Sequence, residues 1–227
     1  MIKDKPRLLD LFTGSGSVAK VAKTLGYDVV SLDIDPRYQP DILTDVLNWD
    51  YKVFAPNHFD VIWASIPCET FSAARRSNIG RKVKGEIMTP ETLVRDTEQI
   101  GVPLLRRTQD ILEYLNPKAW FIENPYSGSM KDYIIEPPTI FDYCMFGFDY
   151  RKRTAIWSNL TLKSRCCDKS HLVNGRHIKV AIGSNKHQSG QGGGASKLAR
   201  YAIPEALIKH LLGTEIAVQE RKSPFRR

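Results

Sequence analysis

The chain has 227 residues, 33 Lys/Arg against 25 Asp/Glu for a formal net charge of +8, 42% hydrophobic residues and a mean hydropathy of −0.32. That composition excludes long disorder, a collagen-like repeat and a disulfide scaffold, and no stretch approaches the ~18 apolar residues of a membrane span. At ~150 residues per domain the length predicts one domain with an appendage.

In chain order, residues 7–12 are a short apolar run that predicts a strand, residues 13–17 a glycine-serine turn, and residues 18–25 an amphipathic helix stopped by Gly26. Residues 27–32 return as a second strand, residues 60–65 and 119–122 as two more, and the segment from about 92 to 115 reads as a helix before the last of these. Strands alternating with helices predict an α/β fold with a mostly parallel, doubly wound sheet. Ligands of such sheets sit beyond the carboxyl ends of the strands. A helix resumes at Pro204 and runs to about Leu212, with Gly213 to end it, and a mobile tail follows.

Charge divides the chain unevenly. Residues 1–150 hold 17 Lys/Arg against 21 Asp/Glu, net −4, while residues 151–227 hold 16 against 4, net +12. The basic third predicts a polyanion-binding end attached to a body with another task. The predicted organisation is a catalytic and cofactor-binding domain over 1–157, a small basic lobe over 158–197, and a returning helix with its tail over 198–227. Cys68, Cys144, Cys166 and Cys167 are too few and too irregular for a disulfide framework, so reduced thiols are expected. The amino terminus carries no signal-peptide apolar region, and an intracellular, cytoplasmic protein is expected.

The strand ends carry the chemistry. After the first, Gly14, Ser15 and Gly16 let backbone approach a ligand at a helix N-terminus. Asp33, at the end of the second strand, is placed to accept hydrogen bonds from a ribose diol. The glycine pattern lacks the third Gly of a dinucleotide fingerprint, so these residues point to a nucleoside cofactor without fixing its type. Pro67-Cys68 after the third strand is the setting of a nucleophilic thiol or of a buried small residue. Glu123 after the fourth is a candidate proton donor or a solvated loop carboxylate.

Asp10-Leu11-Phe12-x-Gly14-x-Gly16, Pro67-Cys68, Glu123-Asn124 and Arg151-x-Arg153, in that order, resemble the cofactor loop, Pro-Cys loop, Glu-Asn loop and Arg-x-Arg strand of the cytosine-C5 DNA methyltransferases. The resemblance spans residues 7–157, and Ala-Ser-x-Pro-Cys-x-x-Phe-Ser with Glu-Asn-Pro is most similar to small bacteriophage- and virus-type members. It implies a Rossmann-like methyltransferase fold, S-adenosylmethionine as cofactor, DNA as partner, and for a phage or viral protein the host cytoplasm as location; a monomer is the working expectation. Asp10, Phe12, Gly14, Ser15, Gly16, Asp33, Asp45 and Pro67 are implied at the cofactor, with Phe12 near the adenine, Asp33 on the ribose and Asp45 at the adenine amino group. Cys68 is implied as the nucleophile that adds to cytosine C6, Glu123 as the residue gripping the base edge, and Arg151 and Arg153 as substrate-orienting cations. The target base must then be flipped out of a duplex or already single-stranded. RNA methylation and a catalytically weak nucleic-acid binder of the same fold are the alternatives.

Three features depart from the family pattern. Pro125 follows Asn124 where a valine is usual, Asp149 stands where a glutamine commonly precedes the arginines, and only about 45 residues separate Arg153 from the last helix where a target-recognition domain is normally inserted. Arg75, Arg76, Arg81, Lys82 and Lys84 follow the nucleophile and fit a loop that meets phosphates. No metal is expected; the alternative is a zinc clamp of Cys166, Cys167, His171 and His177, against which stand the adjacent cysteines and the lack of a Cys-x-x-Cys pair.

Overall fold

A computed structural model of the chain describes residues 5–83, 85–179 and 201–213. In chain order the strands are β1 (Arg7–Leu11), β2 (Asp28–Asp33), β3 (Ile42–Leu43), β4 (Val61–Ser65), β5 (Lys82–Val83), β6 (Glu86–Ile87), β7 (Ala119–Pro125), β8 (Thr139–Asp142) and β9 (Arg153–Ser158). The helices are α1 (Ser17–Thr24), α2 (Pro90–Asp96), α3 (Val102–Leu115) and α4 (Glu205–Leu212).

Successive strand side chains point to opposite faces, and here both faces are buried. Leu8, Val61, Trp63 and Phe121 pack on one side with Val18, Val21 and Ala22 of α1 and Leu207, Ile208 and Leu211 of α4. Leu9, Leu11, Ile62, Ala64 and Ile122 pack on the other with Leu105, Ile111, Leu112 and Leu115 of α3. Helices over both faces are why these strands are continuous apolar runs without alternation. An eight-residue helix is marginal alone, and each leucine that α4 fully buries contributes about 1.5–3 kcal/mol, so packing is what holds it.

The sheet order is β3-β2-β1-β4-β7-β9-β8. The first five strands run parallel, with Leu9 beside both Val30 and Ile62 and Ser65 beside Glu123. The last two pair antiparallel, Asn124 with Ala155 and Asp142 with Arg153. The expected mostly parallel, doubly wound α/β sheet is the fold the chain adopts. Strands β1, β2, β4 and β7 end on one edge, which brings the four strand-end motifs together.

The segment over 92–115 is two helices joined by a π-helical turn, Thr97–Gly101. The break serves the loop after β4: Thr97 Oγ1–H donates to the Thr70 carbonyl at 2.7 Å, and a Cβ on Gly101 would come within 2.8 Å of the Phe71 ring. Among the described residues no helix is long and apolar enough to cross a membrane. Residues 180–197 of the expected basic lobe, and the expected tail, lie outside the described residues.

Candidate active site

Beyond β1 the backbone turns through the left-handed region at Phe12 (φ +59°), Gly14 (φ +50°) and Gly16 (φ +72°), and Gly16 caps α1. Side chains rarely adopt that region, which accounts for the two glycines and marks Phe12 as a constrained position. The Gly14 N–H donates to Asp33 Oδ2 at 2.8 Å and the Asp35 N–H to Asp33 Oδ1 at 2.9 Å. Asp33 is thereby fixed across the glycine turn, and each carboxylate oxygen keeps acceptor capacity for a ligand hydroxyl.

Asp10 lies beneath this loop. It accepts the Thr13 hydroxyl at 2.6 Å, and burial pushes its carboxyl up to about 7 against the pull of that bond and of the Ala19 N–H.

Ser65 ends β4, and Pro67 and Cys68 turn away from the sheet. The Cys68 carbonyl accepts the N–H groups of Phe71 (3.1 Å) and Ser72 (2.8 Å), and the Phe71 carbonyl accepts the Ser129 N–H at 2.9 Å, so the loop is closed on itself and tied to the chain after β7. Asn124 Nδ2–H donates to the Ile66 carbonyl at 2.8 Å, clamping the end of β7 to the same loop. Glu123, one residue earlier, is buried and its Oε1 accepts the hydroxyl of the fully buried Tyr143 at 3.1 Å. Lys152 Nζ stands 4.8 Å from the centre of the Tyr143 ring. Burial pushes the Cys68 thiol up, the Glu123 carboxylate adds to that, and Lys152 opposes it. Burial and Glu123 likewise hold the Tyr143 hydroxyl well above the ordinary tyrosine range.

One cavity of about 700 Å³ joins these groups. Phe12, Gly14, Ser15, Asp33, Asp45 and Pro67 line it together with Cys68, Glu123 and Lys152. The volume suits a nucleoside-sized ligand. The donor set also fits: an aromatic ring, two carboxylates for hydroxyl and amino groups, and exposed backbone at a glycine turn. Asp10 and Gly16, expected at the cofactor, support the loop from outside that lining.

Arg151 and Arg153 are likewise outside it. Both pair with Asp142, Arg151 Nε at 3.1 Å and Arg153 Nε at 3.2 Å, and these cations with the Cys167 N–H hold the Asp142 carboxyl below its usual range. In extended chain, residues 151 and 153 share a side and residue 152 takes the other. The cavity therefore receives Lys152, the residue between the two arginines, and strand alternation was the signal in the sequence that could have found it. Tyr143 carried no such signal.

In the basic loop Arg75 pairs with Asp96, whereas Arg76, Arg81 and Lys82 are exposed and Lys84 lies outside the described residues. Arg95 grips Glu86 at 2.9 and 2.7 Å, tying the β5–β6 hairpin to α2. Of the zinc alternative, Cys167, His171 and His177 come together, but their neighbour is Cys144 and not Cys166.

No family model matches the chain. A protein of frog virus 3 (isolate Goorha), named "Probable DNA (cytosine-5)-methyltransferase", is 38% identical over 221 residues, covering 91% of this chain and 98% of its own. Among solved structures, the Dnmt2 methyltransferase of S. pombe is 17% identical with a TM-score of 0.45, over 71% of this chain and 53% of its own. The methyltransferase EhMeth of Entamoeba histolytica is 15% identical with a TM-score of 0.44, over 70% and 54%. The chain spans about half the length of these two.

Proposed function

The chain belongs to the DNA (cytosine-5)-methyltransferase family, and from that membership we propose that it transfers a methyl group from S-adenosylmethionine to C5 of cytosine in DNA. The single observation that carries this reading is the shared cavity: Asp33 and the glycine turn open into the same space as Cys68 and Glu123. Phe12, Asp33, Asp45 and the backbone at Gly14 and Ser15 hold the cofactor. When bound, S-adenosylmethionine supplies an electrophilic methyl group.

Cytosine C5 is a poor nucleophile, and Cys68 alters that. Its Sγ gives up the thiol proton to water and bonds to C6, moving the C5–C6 π electrons so that C5 becomes the nucleophilic carbon. Glu123 relays a proton to N3 and binds the exocyclic amine, stabilising the charge pushed onto the ring. Tyr143 keeps the Glu123 carboxyl aimed through its hydroxyl. Lys152 supplies positive charge beside Cys68. After transfer, loss of the C5 proton to water, departure of Sγ from C6 and return of the N3 proton to Glu123 restore the ring. A base stacked in a duplex cannot reach a half-buried thiol at a strand end, so the cytosine enters flipped out or from a single strand.

The test uses the full chain, the cofactor and DNA containing 5-fluorocytosine, whose C5 substituent cannot leave as a proton. A covalent protein–DNA adduct that survives denaturation and disappears in Cys68→Ser is expected. An adduct on RNA but not on DNA would move the substrate to RNA, and no adduct on either overturns the reading.

A further inference from the structure

Away from the cavity, four groups with metal-binding atoms meet at the sheet edge. Cys144 follows β8 in a 3-10 turn, and Cys167, His171 and His177 arrive from the segment after β9. All four ligand atoms lie within 4.8 Å of one another. Cys167 Sγ is 3.6 Å from His177 Nε2 and 4.0 Å from His171 Nε2. In tetrahedral zinc, with Zn–S about 2.3 Å and Zn–N about 2.05 Å, sulfur and nitrogen ligands stand about 3.6 Å apart. These two separations are thus within a few tenths of an ångström of what the ion requires.

The local chain is built to bring these atoms there. The Cys167 N–H donates to buried Asp142 at 2.8 Å, and Arg165 pairs its backbone with Ile140 and Asp142, so residues 165–167 extend the sheet beside β8. Val173 and Arg176 pair around Asn174 (φ +50°) and Gly175 (φ +73°), two consecutive left-handed residues of the kind a tight hairpin demands. That reversal returns His177 to His171, their ring centres 5.2 Å apart. Cys166 takes the opposite side of the extended chain and lies against Ser164 Oγ at 3.5 Å, which is why only one of the adjacent cysteines joins.

We propose that Cys144, Cys167, His171 and His177 form a structural zinc site that staples the basic segment after β9 to the sheet edge. Two thiolates and two imidazoles are the ligand types zinc prefers, and four protein ligands close the tetrahedron, leaving no position for substrate. Binding expels the two thiol protons, and the two thiolates balance the charge of the ion. The stapled segment needs such a device: no side chain from 161 to 179 is fully buried, so packing contributes little to fixing it.

The full chain is purified without chelator, with its thiols reduced, and its metal measured by mass spectrometry. About one zinc per chain is expected, Cys166→Ser should retain it, and Cys167→Ser and His177→Ala should each lose at least nine-tenths of it. Because a variant can lose metal by unfolding, the wild-type protein provides a second reading. Stripped of zinc and titrated with cobalt(II) alone, it should develop a sulfur-to-cobalt charge-transfer band and tetrahedral d–d bands, both bleached by one equivalent of zinc. A reduced wild-type chain that takes up neither metal, or a purified chain in which Cys144 and Cys167 form a disulfide, overturns the proposal.

Discussion

The hydroxyl of Tyr143 donates to Oε1 of Glu123 at 3.1 Å, and both side chains are buried. In the proposed reaction the Glu123 carboxyl grips a base edge, which it can do in only one orientation, and this bond holds it there. Tyr143→Phe removes the donor while keeping the ring packed. A hydrogen bond to a carboxylate is worth about 1.5 kcal/mol or more, so kcat should fall about tenfold while KM for the cofactor stays within about twofold. Single-turnover methylation checks this; equal loss in both parameters would mean that Tyr143 acts through the fold and not through Glu123.

Cys68 sits between opposing charges, and the sign of each is testable. Glu123 pushes the thiol up and Lys152 pulls it down, both on top of the larger effect of burial. Glu123→Gln should therefore speed alkylation of Cys68 by iodoacetamide at pH 8, and Lys152→Met should slow it. The two variants should move the rate in opposite senses from the wild type, each severalfold. Since the wild-type thiol is raised, its alkylation rate should still be climbing with pH beyond 9. Identical rates in both variants would place the two charges too far from Sγ to matter.

These residues also mark what the sequence made legible. The runs at 7–12, 60–65 and 119–122 were readable as strands because a strand buried on both faces is continuously apolar. The strand-end residues Asp33, Cys68 and Glu123 followed from the topology. The antiparallel strands β8 and β9 were harder, because β8 is only four residues long and both break the parallel pattern of the rest of the sheet. The π-helical turn was hidden because its cause, Gly101 meeting Phe71, lies in tertiary contact and not in local propensity. Lys152 and Cys144 were passed over for the same reason: motif spacing drew attention to Arg151, Arg153 and Cys166, whereas strand direction decides which neighbour faces the site.

The proposed function gives Asp33 two tasks, fixing the glycine turn and holding the cofactor. Its two oxygens accept the Gly14 and Asp35 N–H groups and keep capacity for a diol. Asp33→Ala should raise KM for S-adenosylmethionine by about 10–100-fold, the loss of one or two hydrogen bonds to a charged acceptor, and leave kcat at saturating cofactor within about threefold. Titration with the demethylated cofactor product should show the same loss by calorimetry. An unchanged KM would remove Asp33 from the cofactor site.

Asp10 converts burial into a pH dependence of stability. Its carboxyl titrates at about 7 in the folded protein against an ordinary value of 3.8, so between those values the folded chain holds a proton that the unfolded chain has released. Stability then falls as pH rises. The contribution is fully present below about 4, declines through the interval and is lost above about 7, a span of at most about 4 kcal/mol. Asp10→Asn removes the charge that burial penalises and keeps an oxygen to accept the Thr13 hydroxyl, but its amide group faces the Ala19 N–H less well. The variant should consequently be slightly less stable than the wild type at pH 5 and more stable at pH 8. Urea denaturation at the two pH values isolates the effect, because every other titrating group is common to both proteins. Parallel pH profiles for the two proteins would show that Asp10 is ionised throughout and that the loop beneath Gly14 carries a buried charge at neutral pH.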